Sequence, residues 1–469
     1  MISTERNRLI IFFLAVFVRL AFFSLTQFTA DDAFITYRYA ENIAFGNGFI
    51  YNTGEHVLGT STPLFTLILS IFRLFSLPAV NSSLLVSLIA SGFTAVVLYR
   101  FGQSLRFGLL SYIPALIYIL WPRSLAADTC GMETALFTLF VTGAVYYSHK
   151  HLGFYAVALA TLASATRPEG LWMLLLVLVA AIAQDRFRAG WYLLIPAVII
   201  GPWVIFAIYY FGSPIPHSIP AKLALYSRFG TMSVWENMRF LMAWHRPEGW
   251  IMFAAAITGG VWLFRKQDFG RVAVLWIVGL VLFFGLGRTH LFFWYAAPIY
   301  PLYILLASAA IVWGIQRFVP QASRRGTVSK IASGLIVIVL IGGCYPSVRY
   351  YRALANTMRT VHKQIGEYLG SHSEDTDRVA AEDIGYIGYY SGLYILDRDG
   401  LVSPAAIPYN REGRYLALIL DHSPQWVVLA VGSPVSLFRQ SDRFHECYQL
   451  QKQFKSSTGE TYEVYRLGG

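Results

Sequence analysis

The feature that most limits what this chain can become is a train of eleven apolar runs, at about 9–28, 81–99, 109–121, 134–147, 152–165, 171–183, 191–211, 250–264, 272–286, 291–314 and 331–345. A helix of roughly 20 apolar residues crosses a bilayer, because it satisfies its own main-chain polar groups where no water can. Several of the runs are shorter, so their flanking residues must share the crossing. Only 13% of residues are charged against 56% hydrophobic, whereas a soluble domain carries about a quarter charged. The expectation is an α-helical polytopic membrane protein with about 11 spans.

The connections set the topology. With the N-terminus in the cytoplasm, Arg6 and Arg8, Arg100 and Arg106, Lys150, Arg186 and Arg188, Arg265, Lys266 and Arg271, and Arg317, Arg324, Arg325 and Lys330 all fall on one side. That is the positive-inside pattern, and the opposite orientation violates it in every loop. Keeping it requires the short run 61–77, interrupted by Arg73, to lie at the outer surface as an interfacial helix. The first run has no small-residue cleavage site before the acidic residues that follow it and reads as a retained anchor. Residues 30–80 then form the first external loop, and everything after Tyr345 is external too. The formal charge is +11, but from Arg349 onward 13 Lys and Arg face 14 Asp and Glu. The surplus belongs to the membrane loops and gives no reason to expect nucleic acid.

At the start of the external loop stand Asp31 and Asp32. A charged pair at a span end is costly and needs a reason. One reason is chemical: a carboxylate can take the proton of a hydroxyl, and two adjacent carboxylates raise each other's proton affinity. The other is structural: acidic residues favour the first turn of a helix, where free N–H groups point outward. Tyr37, Arg38, Glu41 and Asn42 follow on the same predicted helix and are candidates to line a site, although Arg38 and Glu41 are spaced to pair with each other.

Arg123, Arg167, Lys222, Arg246 and Arg288 sit on the side where positive charge is normally avoided, so each needs a partner. A phosphate fits an arginine fork or a lysine point charge. The alternative is pairing with Asp128, Glu133, Glu169 and Glu248, or snorkelling toward headgroups. Arg167, Lys222 and Arg288 are the phosphate candidates by their position near span ends. The connection 212–249 is broken by Pro214, Pro216 and Pro220 and carries Trp235 and Trp244, with Trp250 just beyond. It cannot run as one helix and is expected along the outer surface. His217 within it is either a ligand or an interfacial hydrogen-bonding residue, and His290, near Arg288, joins the substrate-binding candidates.

No HExxH, paired CxxC, Walker lysine or dinucleotide glycine fingerprint occurs, and three cysteines, Cys130, Cys344 and Cys447, make no framework. Past the last span, 349–369 has helical spacing and could be a long helix leaving the membrane. Short strand-like runs follow at 378–381, 394–396, 426–430 and 461–467. The expected division is a transmembrane domain over 1–346 and a small external α/β domain over 347–469, a normal size for one.

Together these residues carry a resemblance. The stretch DDAFITYRYAENIAFGNGFIYNTGEHVLGTSTPLFTLIL resembles the first external loop of GT-C membrane glycosyltransferases, in particular the bacterial branch that includes mycobacterial terminal arabinofuranosyltransferases. CGMETALF, TRPEG, FWYAAPIYPL and DIGYIGYYSGLYILDRDGLVSP follow in the family's order. The resemblance implies an enzyme of the cytoplasmic (inner) membrane, its active site and C-terminal domain on the extracytoplasmic side. It would transfer a sugar such as arabinofuranose or mannose, with inversion, from a polyprenyl-phosphate donor to a glycan, lipid or protein acceptor. It also implies that Asp31 is the general base, with Asp32 beside it, and that an external Arg or Lys stabilises the leaving phosphate. Metal use varies across the family, so a divalent metal stays open. The competing classes are a transporter or flippase of lipid-linked sugars, for which such acids usually lie at mid-membrane, and an assembly protein in which the acidic pair is only a cap.

Overall fold

Each of the eleven apolar runs folds as helix in the computed structural model, which describes residues 2–229, 233–242, 247–286, 290–319 and 322–468. Among these residues, six helices are long and apolar enough to cross a membrane unaided: Glu5–Thr26, Ala79–Ser104, Arg186–Phe211, Asp268–Leu286, Phe293–Phe318 and Gly326–His372. A seventh span is added if Gly108–Leu120 and Pro122–Thr129 count as one, bent by 58°. The bend has a local cause, since Trp121 before the proline is extended and Pro122 opens the next helix. Helices of 14 to 16 residues, Thr134–His149, Gly153–Thr166 and Gly170–Gln184, are the short members of the set. The chain is a multi-pass membrane protein.

The stretch Gly326–His372 has 47 residues. At 1.5 Å per residue it is about 70 Å long, more than twice the hydrocarbon layer. Its apolar part is 331–345, and Arg349, Arg352, Arg359 and His362 lie beyond that part.

The fold divides into two compact units, and the division is not a single cut in the chain. The first takes Met1–Leu25, Ser83–Pro202 and Met232–Arg349. Its core is helix against helix, around Phe101, Phe137, Trp276 and Leu305. Two polar clusters are sealed into it. Arg19, fully buried, meets Asp128 at 2.8 Å while the Tyr118 hydroxyl donates to the same carboxylate oxygen at 2.7 Å. Arg167 lies between Glu133 at 2.5 Å and Glu169 at 3.0 Å.

The second unit takes Thr26–Ser82, Trp203–Thr231 and Tyr350–Gly469. It is built on a five-stranded sheet, with β1 Arg378–Ala381, β2 Tyr394–Asp397, β3 Trp426–Ala430, β4 Tyr448–Lys455 and β5 Thr461–Leu467. The order is β2-β1-β3-β5-β4, parallel across β2, β1 and β3 and antiparallel from β3 outward. Side chains alternate across it: Trp426 and Val428 enter one core, Val427 and Leu429 the other. The second core is the domain's own, with Leu418, Ile419 and Phe444. The first is shared with the early loop, since Ile35, Tyr39, Phe49 and Tyr51 pack there with Val361, Ile365 and Ile387. That shared apolar burial is the reason the early loop and the tail form one unit.

Candidate active site

Asp31 opens the helix Asp31–Ala44, whose N-cap, Ala30, makes no side-chain cap bond. Asp31 does cap a helix, but one that lies 354 residues away in sequence. Its Oδ2 accepts the Gly385 N–H at 2.8 Å and its Oδ1 accepts the Tyr386 N–H at 2.9 Å. These are free N–H groups in the first turn of Ile384–Ser391, where a negative charge is favoured. Two helix N-termini therefore meet at this acid. Close approach demands glycine on the second helix, because a Cβ at Gly385 would collide with the Asp31 carbonyl and one at Gly388 with the Tyr51 hydroxyl.

Around this junction gather His362, Asp383 and Tyr462. His362, 1% exposed, has Nδ1 3.8 Å from Asp31 Oδ1 and Nε2 3.9 Å from Asp383 Oδ2. Asp383, at the end of β1 where the strand order reverses, accepts the Tyr462 hydroxyl at 2.9 Å. Such switch points are where open α/β sheets leave a crevice. A third of the Asp383 side chain is accessible (32%), yet its surroundings desolvate the charge enough to raise the carboxyl to about 6, against the pull of His362. Asp32 points elsewhere: its Oδ2 is 4.0 Å from Lys222 Nζ, with 33% and 22% of the two side chains accessible. A partly open carboxylate beside a partly open ammonium is an arrangement that can receive a proton and face a phosphate.

The early loop is held to the tail by polar contacts as well. Arg38 donates to the carbonyls of Tyr51, Gly388 and Leu393 at 2.7 to 2.9 Å. Asn52 exchanges two bonds with Ile395 on the free edge of β2. Tyr389 donates to Glu41 at 2.7 Å and Tyr394 to Glu55 at 2.5 Å.

Residues 349–465 match a family model described as a domain of unknown function (DUF8728). No curated protein matches the chain. Among solved structures, the chain is similar to ArnT from Cupriavidus metallidurans bound to undecaprenyl phosphate, with a TM-score of 0.55, and to the same protein in the apo state, with 0.58. Both are 13% identical, over 99% of this chain and 97% of that one. It is similar as well to the arabinofuranosyltransferase AftD from Mycobacteria, TM-score 0.53 and 15% identical, over 99% of this chain and 40% of AftD. The fold is GT-C-like.

Within this GT-C-like chain the residues singled out from sequence have different placements. Asp31, Asp32, Lys222 and His217 belong to the second unit, as do Tyr37, Arg38, Glu41 and Asn42. The last four hold the loop: Tyr37 is fully buried among Phe34 and Tyr389, Arg38 binds carbonyls, Glu41 pairs with Arg73 at 3.1 Å and not with Arg38, and Asn42 donates to Ile50 O at 2.8 Å. His217 gives its main-chain N–H to Leu58 O at 2.8 Å, and burial lowers its imidazole below the usual range. Arg167 and His290 belong to the first unit. Arg167 is neutralised by two glutamates, which is the pairing alternative for that cation; His290 is exposed and lies near Phe292. Arg288 and Arg246 lie outside the described residues, and so does Trp244.

Sequence reasoning did not single out His362 or Asp383. Asp383 opens the stretch DIGYIGYYSGLYILDRDGLVSP but carries no separate signal. His362 is one histidine on an amphipathic helix, a pattern that ordinary helices share. Among the described residues no group of three or more His, Cys, Asp or Glu is placed to hold a metal ion. Asp31 and Asp383 address opposite nitrogens of His362 and so do not converge on one point.

Proposed function

We propose that this chain is a membrane glycosyltransferase that moves a sugar, with inversion, from a polyprenyl-phosphate donor to an acceptor hydroxyl on the outer side of the cytoplasmic membrane. The observation that carries the reading is the Asp32–Lys222 pair, 4.0 Å apart and partly open, with Asp32 on a helix whose first residue is clamped in place and Lys222 on the helix Ser218–Phe229. The GT-C-like fold and the undecaprenyl phosphate bound to the similar ArnT support the donor class.

An alcohol is a poor nucleophile until a base takes its proton as the glycosidic bond forms. Family resemblance gives that role to Asp31. The geometry favours Asp32, a third of whose side chain is accessible (33%) against 16% for Asp31, whose two oxygens receive main-chain N–H groups. The leaving group is a phosphate, which needs charge stabilisation more than a proton, and Lys222 supplies it. Sugar and acceptor identity stay at the class level: arabinofuranose, mannose or a similar sugar, passed to a glycan, lipid or protein.

The test is transfer from labelled polyprenyl-phosphate sugars by the full-length protein in nanodiscs. Asp32→Asn is expected to lower kcat by about 10²–10⁴-fold, and Lys222→Met to raise the donor KM and lower kcat together. Full activity in Asp32→Asn would remove the assigned base.

A further inference from the structure

The helix that enters the C-terminal sheet is α-helical over Ala322–Thr357 and again over Lys363–His372, but Met358–His362 between them winds as a π-helical turn. Such a turn is rare, and where it occurs it is frequently at a functional site. Its last residue is His362. The side chain ends buried, with a carboxylate opposite each ring nitrogen and, among the described residues, no hydrogen-bond partner on either. A neutral imidazole has one donor and one acceptor nitrogen, so it would present a lone pair to one of the two acids. Only the imidazolium offers a proton to both.

The other groups facing the ring are Tyr386 from Ile384–Ser391, Tyr462 from β5 and Glu460 from the β4–β5 turn, with Arg359 on its own helix acting on Tyr386. Burial works against the charge on the ring. Asp383 and Asp31 outweigh it, and His362 is raised above its usual value of 6.5.

We propose that His362 is a positioning residue: a buried imidazolium that ties Asp31 to Asp383 and thereby fixes the orientation of the neighbouring Asp32. The proposal rests on the reading of Asp32 as the base. When the ring loses its proton, two carboxylates face a neutral group, Asp31 loosens from Gly385 and Tyr386, and Asp32 loses its orientation. The rate then falls on the alkaline side through His362.

The sign of the stability effect follows. A histidine whose folded value is raised contributes fully below 6.5, and that contribution is lost as pH rises through the raised value. Asp383, raised from 3.8 to about 6, adds a fall in stability between those two values. The histidine is therefore isolated above pH 6.5.

The experiment compares wild type with His362→Gln in nanodiscs, following thermal unfolding and sugar transfer from pH 5 to 9. Wild type is expected to lose melting temperature as pH rises above 6.5, and the glutamine variant to be flat there. The variant should lose about 10–100-fold in kcat with little change in donor KM, and its alkaline limb should vanish. Equal melting slopes above 6.5 overturn the proposal whatever the rates do. Calorimetric Mn²⁺ binding present in wild type and lost in His362→Gln overturns it as well, because the ring would then be a ligand and not a cation. If the slopes differ as expected while Asp32→Asn retains transfer, the tie stands and the base assignment falls. Should His362→Gln not fold, Asp383→Asn removes one of the two carboxylates, and the slope above 6.5 must move to lower pH; an unmoved slope overturns the tie.

Discussion

In the membrane-helix unit Arg19 and Asp128 meet at 2.8 Å with 0% and 2% of their side chains accessible, whereas in the other unit Asp32 and Lys222 stand 4.0 Å apart at 33% and 22%. The first pair is closed on itself, with Tyr118 filling out the carboxylate. Buried charges are tolerable only when paired and hydrogen-bonded in this way. The second pair leaves surface on both partners, and the histidine between Asp31 and Asp383 is held at 3.8 and 3.9 Å. Charges shut away from solvent hold a fold together; charges with surface left open keep a capacity to take a proton or an anion.

That contrast can be broken experimentally. The largest structural effect should come from Arg19→Met with Asp128 intact, which strands a buried carboxylate and should cost about 3–5 kcal/mol, read as loss of folded protein or a steep fall in melting temperature. Asp32→Asn, expected to cripple transfer, should leave melting nearly unchanged. Equal thermal losses in the two variants would erase the distinction between closed and open pairs. Next in size is Gly388→Ala, where the new methyl meets the Tyr51 hydroxyl and Arg38. Overpacking there, partly offset by better helix propensity, should destabilise by about 1–2 kcal/mol, and a stabilised variant would show that the two helices are not in close contact. The smallest effect should be Asp268→Ala, which removes a 3.1 Å pair with Arg271 that is more than half accessible. Its cost should stay within about 0.5 kcal/mol.

Much of the fold was legible. All eleven apolar runs are helices, and the four strand-like runs of the tail are β1, β2, β3 and β5. The strand that escaped is β4, YQLQKQFK, whose only buried residues are Tyr448 and Phe454. It is an edge strand covered in Gln and Lys, which guards it against pairing with another chain and hides it from any reading based on apolar pattern. The acidic pair was legible too, since two carboxylates at the end of a span stand out by their cost. The capping explanation holds in part: both acids stand in the first turn of their own helix, and Asp31 in addition caps a distant one.

What the sequence by itself determined was the class of fold and the location of the costly charges, because hydropathy and charge act residue by residue on where a segment can lie. What tertiary structure alone decided was the partnership of those charges. Arg38 went to three carbonyls, Arg167 to two glutamates, Lys222 to Asp32, and His362 to a place between two acids. Partners more than 300 residues apart, such as Asp31 with Gly385 and His362, are joined by a shared apolar core and a π-helical turn. Neither leaves a mark in local sequence, because each depends on which surfaces the folded chain brings together.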